Sequence, residues 1–270
     1  MTDWPEKAAA LAGLVREKRP MIHHLTNDVV TNLTANVTLC LGAAPVMAPC
    51  RREVEEMVTF AGALLLNIGT LDDALVQSML TAGRKANDLG VPVVLDPVGA
   101  GATSLRTDAA KKIVDEIRLS VLRGNAGEVL TLAGAGGKVR GVDSQDAVGE
   151  RDSLVADFAS KHGFTVAVTG PVDLVTNGRR IIKIENGHAI LGRVTGTGCS
   201  ATTAVAAFLA GAPDEPCRAT ACALAVFGLA AERAASRAGG PGTFVPLLLD
   251  ELANLDAETI RKGVRIEETE

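Results

Sequence analysis

The run Gly196-Thr197-Gly198-Cys199 places two glycines, a hydroxyl and a thiol directly ahead of an apolar stretch, Ser200 to Ala210. That stretch reads as a helix after a β-like segment. A helix start exposes unpaired backbone N–H groups and a partial positive charge. Two glycines let such a backbone close on an anion. Cys199 falls among those N–H groups, where a thiol is expected to ionise more easily. The chemistry implied is anion binding beside a polarisable side chain.

Other readings of the same run stay open. Gly196, Gly198 and Ala201 also satisfy G-x-G-x-x-A, the pattern of a dinucleotide turn. That reading needs a further strand and an acid about 20 residues on. The chain instead continues into Gly211-Ala212-Pro213-Asp214-Glu215-Pro216 and another helix. A plain turn whose glycines serve close packing is a second alternative. Cys199 as a covalent nucleophile is a third, and it requires a histidine base. His188 and His162 are nearest in sequence, and neither sits in a dyad pattern. Gly136-Gly137-Lys138-Val139 lacks both the spacing and the hydroxyl of a Walker A loop.

Two more clusters carry suitable side chains. Asp96-Pro97-Val98-Gly99-Ala100-Gly101 sets an acid at a strand end before a flexible loop, which suits magnesium or a phosphate-bound water. Arg123-Gly124-Asn125-Ala126-Gly127-Glu128 gathers an Arg, an Asn and a Glu within six residues. The Asn125–Glu128 spacing puts both side chains on one face of a helical turn. Such a pair suits a hydrated Mg²⁺, while Arg123 suits phosphate oxygens. Each cluster equally reads as an ordinary turn or a capped helix start. His23 and His24 are adjacent, so on a strand they point to opposite faces and do not chelate one metal. Met47, between Pro45 and Pro49, reads as core on its sequence alone.

The elements that must position these residues are set by the pattern. Helices are expected over 26–41 (capped by Asn27 or Asp28), 72–89, 107–117 and 148–161. Short apolar strands are expected over 45–47, 64–67, 91–95, 120–123 and 166–169. This βαβα rhythm predicts an α/β fold with a mostly parallel central sheet and helices on both faces. Ligands of such sheets bind beyond the carboxyl ends of the strands. Asp96, the Arg123-to-Glu128 stretch and Thr169-Gly170 all fall there. Asn177-Gly178 and Asn186-Gly187 then read as hairpin turns. They predict an antiparallel meander over 173–176, 180–185 and 188–193. Helices over 200–210, 215–238 and 245–253 complete a single domain, residues 1–270.

Composition narrows the function. The chain has a net charge of −5, which argues against broad nucleic-acid binding but not against a local basic pocket. No apolar run reaches the roughly 18 residues of a membrane span, and the opening MTDWPEKAAA lacks a signal pattern. Five scattered cysteines without C-x-x-C or zinc spacing read as reduced thiols, so a cytoplasmic location is expected.

Taken together, these clusters resemble the ribokinase-like superfamily, and within it the hydroxyethylthiazole kinases. The resemblance rests on Thr26-Asn27-Asp28-Val29-Val30-Thr31-Asn32, Ala35-Asn36, Gly42-Ala43-Ala44-Pro45-Val46-Met47 and Asn67-Ile68-Gly69-Thr70. It continues through the Asp96 loop, the Arg123-to-Glu128 stretch and Thr195-Gly196-Thr197-Gly198-Cys199. It spans about residues 10 to 255. It implies transfer of the ATP γ-phosphate to the primary hydroxyl of hydroxyethylthiazole. It assigns Asn27, Met47 and Gly196 to the thiazole pocket. It assigns Arg123, Thr169 and Asn125 to ATP, Asp96 and Glu128 to Mg²⁺, and the Gly196, Gly198 and Cys199 turn to the migrating phosphate and the accepting hydroxyl. It also implies a homotrimer with sites at subunit interfaces. Most of the superfamily carries an Asp base where this chain has Cys199, as the thiazole branch does.

Overall fold

Leu64, Leu65 and Leu66 lie in one strand and all are buried, so that strand must be covered on both faces. In the computed structural model, which describes residues 2–135 and 145–269, it is part of a nine-stranded sheet. The strands are β1 (Met21–Leu25), β2 (Ala44–Met47), β3 (Ala63–Asn67), β4 (Val93–Asp96), β5 (Val121–Asn125), β6 (Thr165–Thr169), β7 (Asp173–Thr176), β8 (Ile181–Ile184) and β9 (Ile266–Thr269). Their order across the sheet is β2-β1-β3-β4-β5-β6-β7-β8-β9. The first six run parallel, and β7, β8 and β9 are antiparallel additions.

Side-chain alternation along the strands divides the core in two. On one face, Ile22, Leu65, Val94 and Val121 meet α1 (Trp4–Lys18), α2 (Thr31–Cys40), α8 (Thr197–Gly211), α9 (Pro216–Arg237), α10 (Pro241–Asn254) and α11 (Ala257–Gly263). On the other, Leu64, Leu66, Leu95 and Leu122 meet α3 (Val54–Val58), α4 (Asp73–Leu89), α5 (Ser104–Glu116), α6 (Ala126–Leu132) and α7 (Gln145–His162). The α/β class with a mostly parallel sheet between two helical layers is therefore as expected.

Two sequence expectations are corrected, and one element is added. Residues 188–193 are not the third strand of the meander. Ala189–Arg193 form a 3-10 turn, and β9, from the far C-terminus, pairs with β8 instead. His188 starts that turn by accepting a hydrogen bond from Ile190 N–H, which diverts the chain from the sheet. The helix expected from residue 26 starts only at Thr31, with Val30 at its cap and no side chain capping it. Asn27 is buried and bonded across the sheet ends instead. A further helix, α1, precedes β1 where no element was read. The stretch Gly136 to Val139 lies outside the described residues.

Helix α9 is long and apolar enough to cross a membrane by length and composition, yet its apolar window is 78% buried inside the fold. It is a core helix, and its Cys217 and Cys222 are buried there, pushed up to about 11 and about 12 by burial. Adjacent Leu65 and Leu66 test the two-sided core. Each substituted by Ala should cost about 2–5 kcal/mol of stability in urea unfolding. A cost below about 1 kcal/mol for either would contradict burial on both faces.

Candidate active site

The strand order reverses between β1 and β3, so the connections leaving their carboxyl ends diverge to opposite sides and leave a crevice above the strand ends. Five side chains rim it from successive strand ends. Asn27 lies just beyond β1, Asn67 ends β3, Asp96 ends β4, Arg123 lies in β5 and Thr169 ends β6. The register pairs Asn67 with Asp96, and Asn125 with Thr169.

Helix α8 closes the site from above. Gly196 is its N-cap with φ +89°, a left-handed conformation that a side chain would strain. A Cβ there would also stand 2.8 Å from Val30 Cγ1. The first intrahelical bond runs from Ser200 N–H to Gly196 C=O (2.9 Å). The N–H groups of Thr197, Gly198 and Cys199 precede it and have no partner within the helix. A Cβ on Gly198 would lie 3.0 Å from Arg123 Nη1, so the helix start and the guanidinium are in close contact. Positive charge and free N–H groups thus face the same space, as an anion site requires.

Asp96 is the buried centre. Its Oδ2 accepts from Thr202 Oγ1 (2.7 Å) and Asn67 Nδ2 (3.0 Å), and Arg123 Nη1 stands 3.8 Å away. Its Oδ1 is buried without a protein partner. Burial raises its pKa to about 6, against the lowering pull of Arg123, Thr202 and Asn67. Arg123 also donates to Thr169 Oγ1, and its Nε is buried without a partner. Glu128 is committed differently: Oε1 accepts from Gly99 N–H (2.8 Å) and Oε2 from Asn125 N–H (2.8 Å). Asn125 returns a bond to Glu128 N–H, so the Asn-x-x-Glu pair is a capping box that starts α6. Asn125 points its side chain into that box.

Cys199 contradicts one expectation. Its thiol is not activated; burial, then the nearby Asp96 charge, push it up to about 11. Its sulfur accepts from Asn27 Nδ2 at 3.6 Å. No histidine approaches it among the described residues: His188 caps the 3-10 turn and His162 packs between Phe158 and Phe164. The covalent-nucleophile reading therefore lacks its base. His23 and His24 face opposite sides, as expected, on Ala48 C=O and Thr38 Oγ1.

A cavity of about 520 Å³ opens beside Gly198, lined by Arg123, Thr169, Asp173, Gly187, Leu224 and Phe227 among others. Asp173 carried no role in the sequence reading. Burial raises it to about 6, and Gly170 N–H donates to its Oδ1. The tight turn from β6 into β7 brings it there, three residues after Gly170. Asn67 and Thr202 were also missed as contributors. Asn27, Cys199 and Met47 do not line this cavity; Met47 ends the edge strand β2, half-buried.

Comparison with known proteins gives the family and the fold. A family model described as the hydroxyethylthiazole kinase family matches residues 13–258. A hydroxyethylthiazole kinase of Methanocella arvoryzae is 52% identical over 262 residues, covering 96% of this chain and 98% of its own. One from Chloroflexus aurantiacus is 52% identical over 261 residues, with 97% of each chain covered. The solved hydroxyethylthiazole kinase structure from Pyrococcus horikoshii OT3 superposes with a TM-score of 0.90 at 44% identity, covering 97% of this chain and 99% of that one. A Staphylococcus aureus pyridoxal kinase in complex with pyridoxal shares the fold alone, with a TM-score of 0.61 at 16% identity over 93% and 98% of the two chains.

The raised thiol has a direct consequence. Only the thiolate alkylates, so modification of Cys199 should keep rising about tenfold per pH unit through pH 9 to 10. Peptide mass spectrometry after iodoacetamide treatment measures this, and a plateau near pH 8 would contradict the buried, neutral thiol.

Proposed function

The chain belongs to the hydroxyethylthiazole kinase family, and from that premise we propose that it transfers the γ-phosphate of ATP to the primary hydroxyl of hydroxyethylthiazole, a step of thiamin salvage. The observation that carries this reading is the contact between the α8 start and Arg123 beside the free oxygen of Asp96. Three unsatisfied N–H groups, one guanidinium and one carboxylate oxygen there meet the needs of a migrating phosphoryl group.

Phosphoryl transfer is mostly positioning and charge stabilisation. The N–H groups of Thr197, Gly198 and Cys199 hold the phosphoryl oxygens and stabilise charge as it develops. Arg123, braced by Thr169, neutralises the phosphates from the cavity side. The cavity takes the nucleotide, with Leu224 and Phe227 as its apolar wall.

Mg²⁺ fits the donor set present here. It needs one or two carboxylates plus phosphate oxygens and waters, and Asp96 Oδ1 is an orphaned acceptor of that kind. Among the described residues no cluster of three His, Cys, Asp or Glu forms an all-protein cage. Asp96 would hold the ion, with Glu128 reaching it through water because both its oxygens already accept backbone N–H bonds. When bound, it screens the negative charge of the ATP phosphates.

Asn27, Met47 and Gly196 form the alcohol end, next to Cys199. A thiol held neutral orients the hydroxyl and forms no covalent intermediate. General-base assistance is typically worth ~10²–10⁴-fold in rate, so its weakness here slows turnover without abolishing it. The alcohol end lies towards the sheet edge at β2, beside the exposed Val29. That apolar edge supports a homotrimer in which a neighbouring chain completes the pocket. The enzyme is read as cytoplasmic.

ATP consumption dependent on hydroxyethylthiazole and Mg²⁺ tests the activity, and ATP binding with no consumption would overturn it. Asp96→Asn should lower kcat at least about tenfold and raise the Mg²⁺ concentration needed for half-maximal rate; an unchanged magnesium titration would remove Asp96 from the metal site. Light scattering should give the mass of three chains, and a monomer would refute the shared pocket.

A further inference from the structure

Asn67 is fully buried at the end of β3, and two of the groups around its amide have a fixed polarity. Gly69 N–H, which can only donate, reaches Asn67 Oδ1 at 3.0 Å. Asp96 Oδ2, which as a carboxylate can only accept, receives Asn67 Nδ2 at 3.0 Å. The Asn67 amide therefore has one permitted orientation. That orientation dictates the next residue. Asn67 Oδ1 is an acceptor, so Asn27 must present its Nδ2, at 2.8 Å. The same Nδ2 donates its other hydrogen to Cys199 Sγ at 3.6 Å. Both amide hydrogens of Asn27 are thereby committed, and only its carbonyl oxygen remains to meet a ligand. At the far end, the bonds from Asn67 and Thr202 fall on the same oxygen of Asp96, which leaves Oδ1 as the free one.

We propose that Asn67 is a positioning residue for the phosphoryl transfer: it sets the direction of one hydrogen-bond chain, Cys199–Asn27–Asn67–Asp96, that aligns the alcohol end and the phosphate end of the site together. This rests on the kinase function proposed for the site. It assigns to Asn67 no contact with either substrate. It acts through Asn27 on one side, where it turns an acceptor towards the alcohol, and through Asp96 on the other. The chain bridges β1, β3, β4 and α8 across the crevice where the strand order reverses, so it also fixes the distance between the two ends.

The test is a double-mutant cycle with a second readout that needs no turnover. Steady-state kinetics for the wild type, Asn67→Ala, Asn27→Ala and the double variant give kcat and KM for hydroxyethylthiazole and for ATP. Asn67→Ala should lower kcat/KM for the alcohol about 10- to 100-fold. The double variant should fall no more than about threefold below the worse single one, because Asn67, whose amide also lies against the Cys199 thiol, and Asn27 serve one hydrogen-bond chain. Losses that multiply, or a loss under about twofold, overturn the proposal. Should Asn67→Ala fail to fold, as judged by its thermal melt, Asn67→Asp preserves the shape and replaces it in the cycle. Asn67→Asp offers an acceptor where Asp96 needs a donor and adds negative charge near the thiol. Iodoacetamide should therefore modify Cys199 at least about fivefold more slowly in that variant, and an unchanged rate overturns the proposal. If the wild type fails to phosphorylate the alcohol while the alkylation rate falls as expected, the functional reading is lost and the hydrogen-bond chain stands.

Discussion

Burial of the Asp96 carboxylate is the constraint on which the site depends. A carboxylate taken out of water costs several kcal/mol unless it is paired and hydrogen-bonded. Here the compensation comes from three separate elements: Asn67 of β3, Thr202 of α8 and Arg123 of β5. Each must arrive at the end of β4 from its own direction. Satisfying this one group therefore locks helix α8 over the sheet and sets Arg123 against the helix start. Because two strong donors fall on Oδ2, the other oxygen is left free in a buried place.

The alanine-rich composition of α8 serves the same end. Ala204, Ala206, Ala207 and Thr203 are fully buried, and short side chains let the helix lie close to β3 and β4. Ser200, Thr202 and Thr203 would leave hydroxyls unsatisfied in such a place. Ser200 and Thr203 instead donate to carbonyls one turn back, and Thr202 gives its single hydroxyl hydrogen to Asp96. A helix of bulky aliphatic residues would stand farther off, and its free N–H groups would miss the strand ends.

The nearby negative charge also explains how a thiol fits beside the phosphate site. Burial first, and then the Asp96 charge, keep Cys199 neutral. A second carboxylate at that position would meet the same burial and the same repelling charge. With a neutral thiol the negative charge stays on Asp96 and on the phosphates, where Arg123 and the helix start face it.

The parallel α/β class, most element positions and the residues at the strand ends were legible in the sequence. Each rests on local pattern: short apolar runs, a 3.6-residue period and glycines at turns. Gly196, Gly198, Asp96 and Arg123 could be singled out because their types and neighbours announce anion chemistry. What local pattern could not show is how separated residues pair. Asn27 looked like a helix cap, since a cap and a buried cross-strand donor are the same residue type before a helix. Asn125 and Glu128 read equally as ligands or as a capped helix start, and only the structure shows that they cap each other. Residues 188–193 have strand-like composition, but β9 competes successfully for the β8 edge. Cys199 looked activated from its place at a helix start, and only burial near Asp96, 103 residues earlier in the numbering, reverses that. The sequence by itself determined which chemical groups the protein has and where each lies along an element. The tertiary structure alone decided which of them share a proton donor, which oxygen stays free and which thiol stays neutral, because polarity and burial are set by neighbours that the chain order does not place side by side.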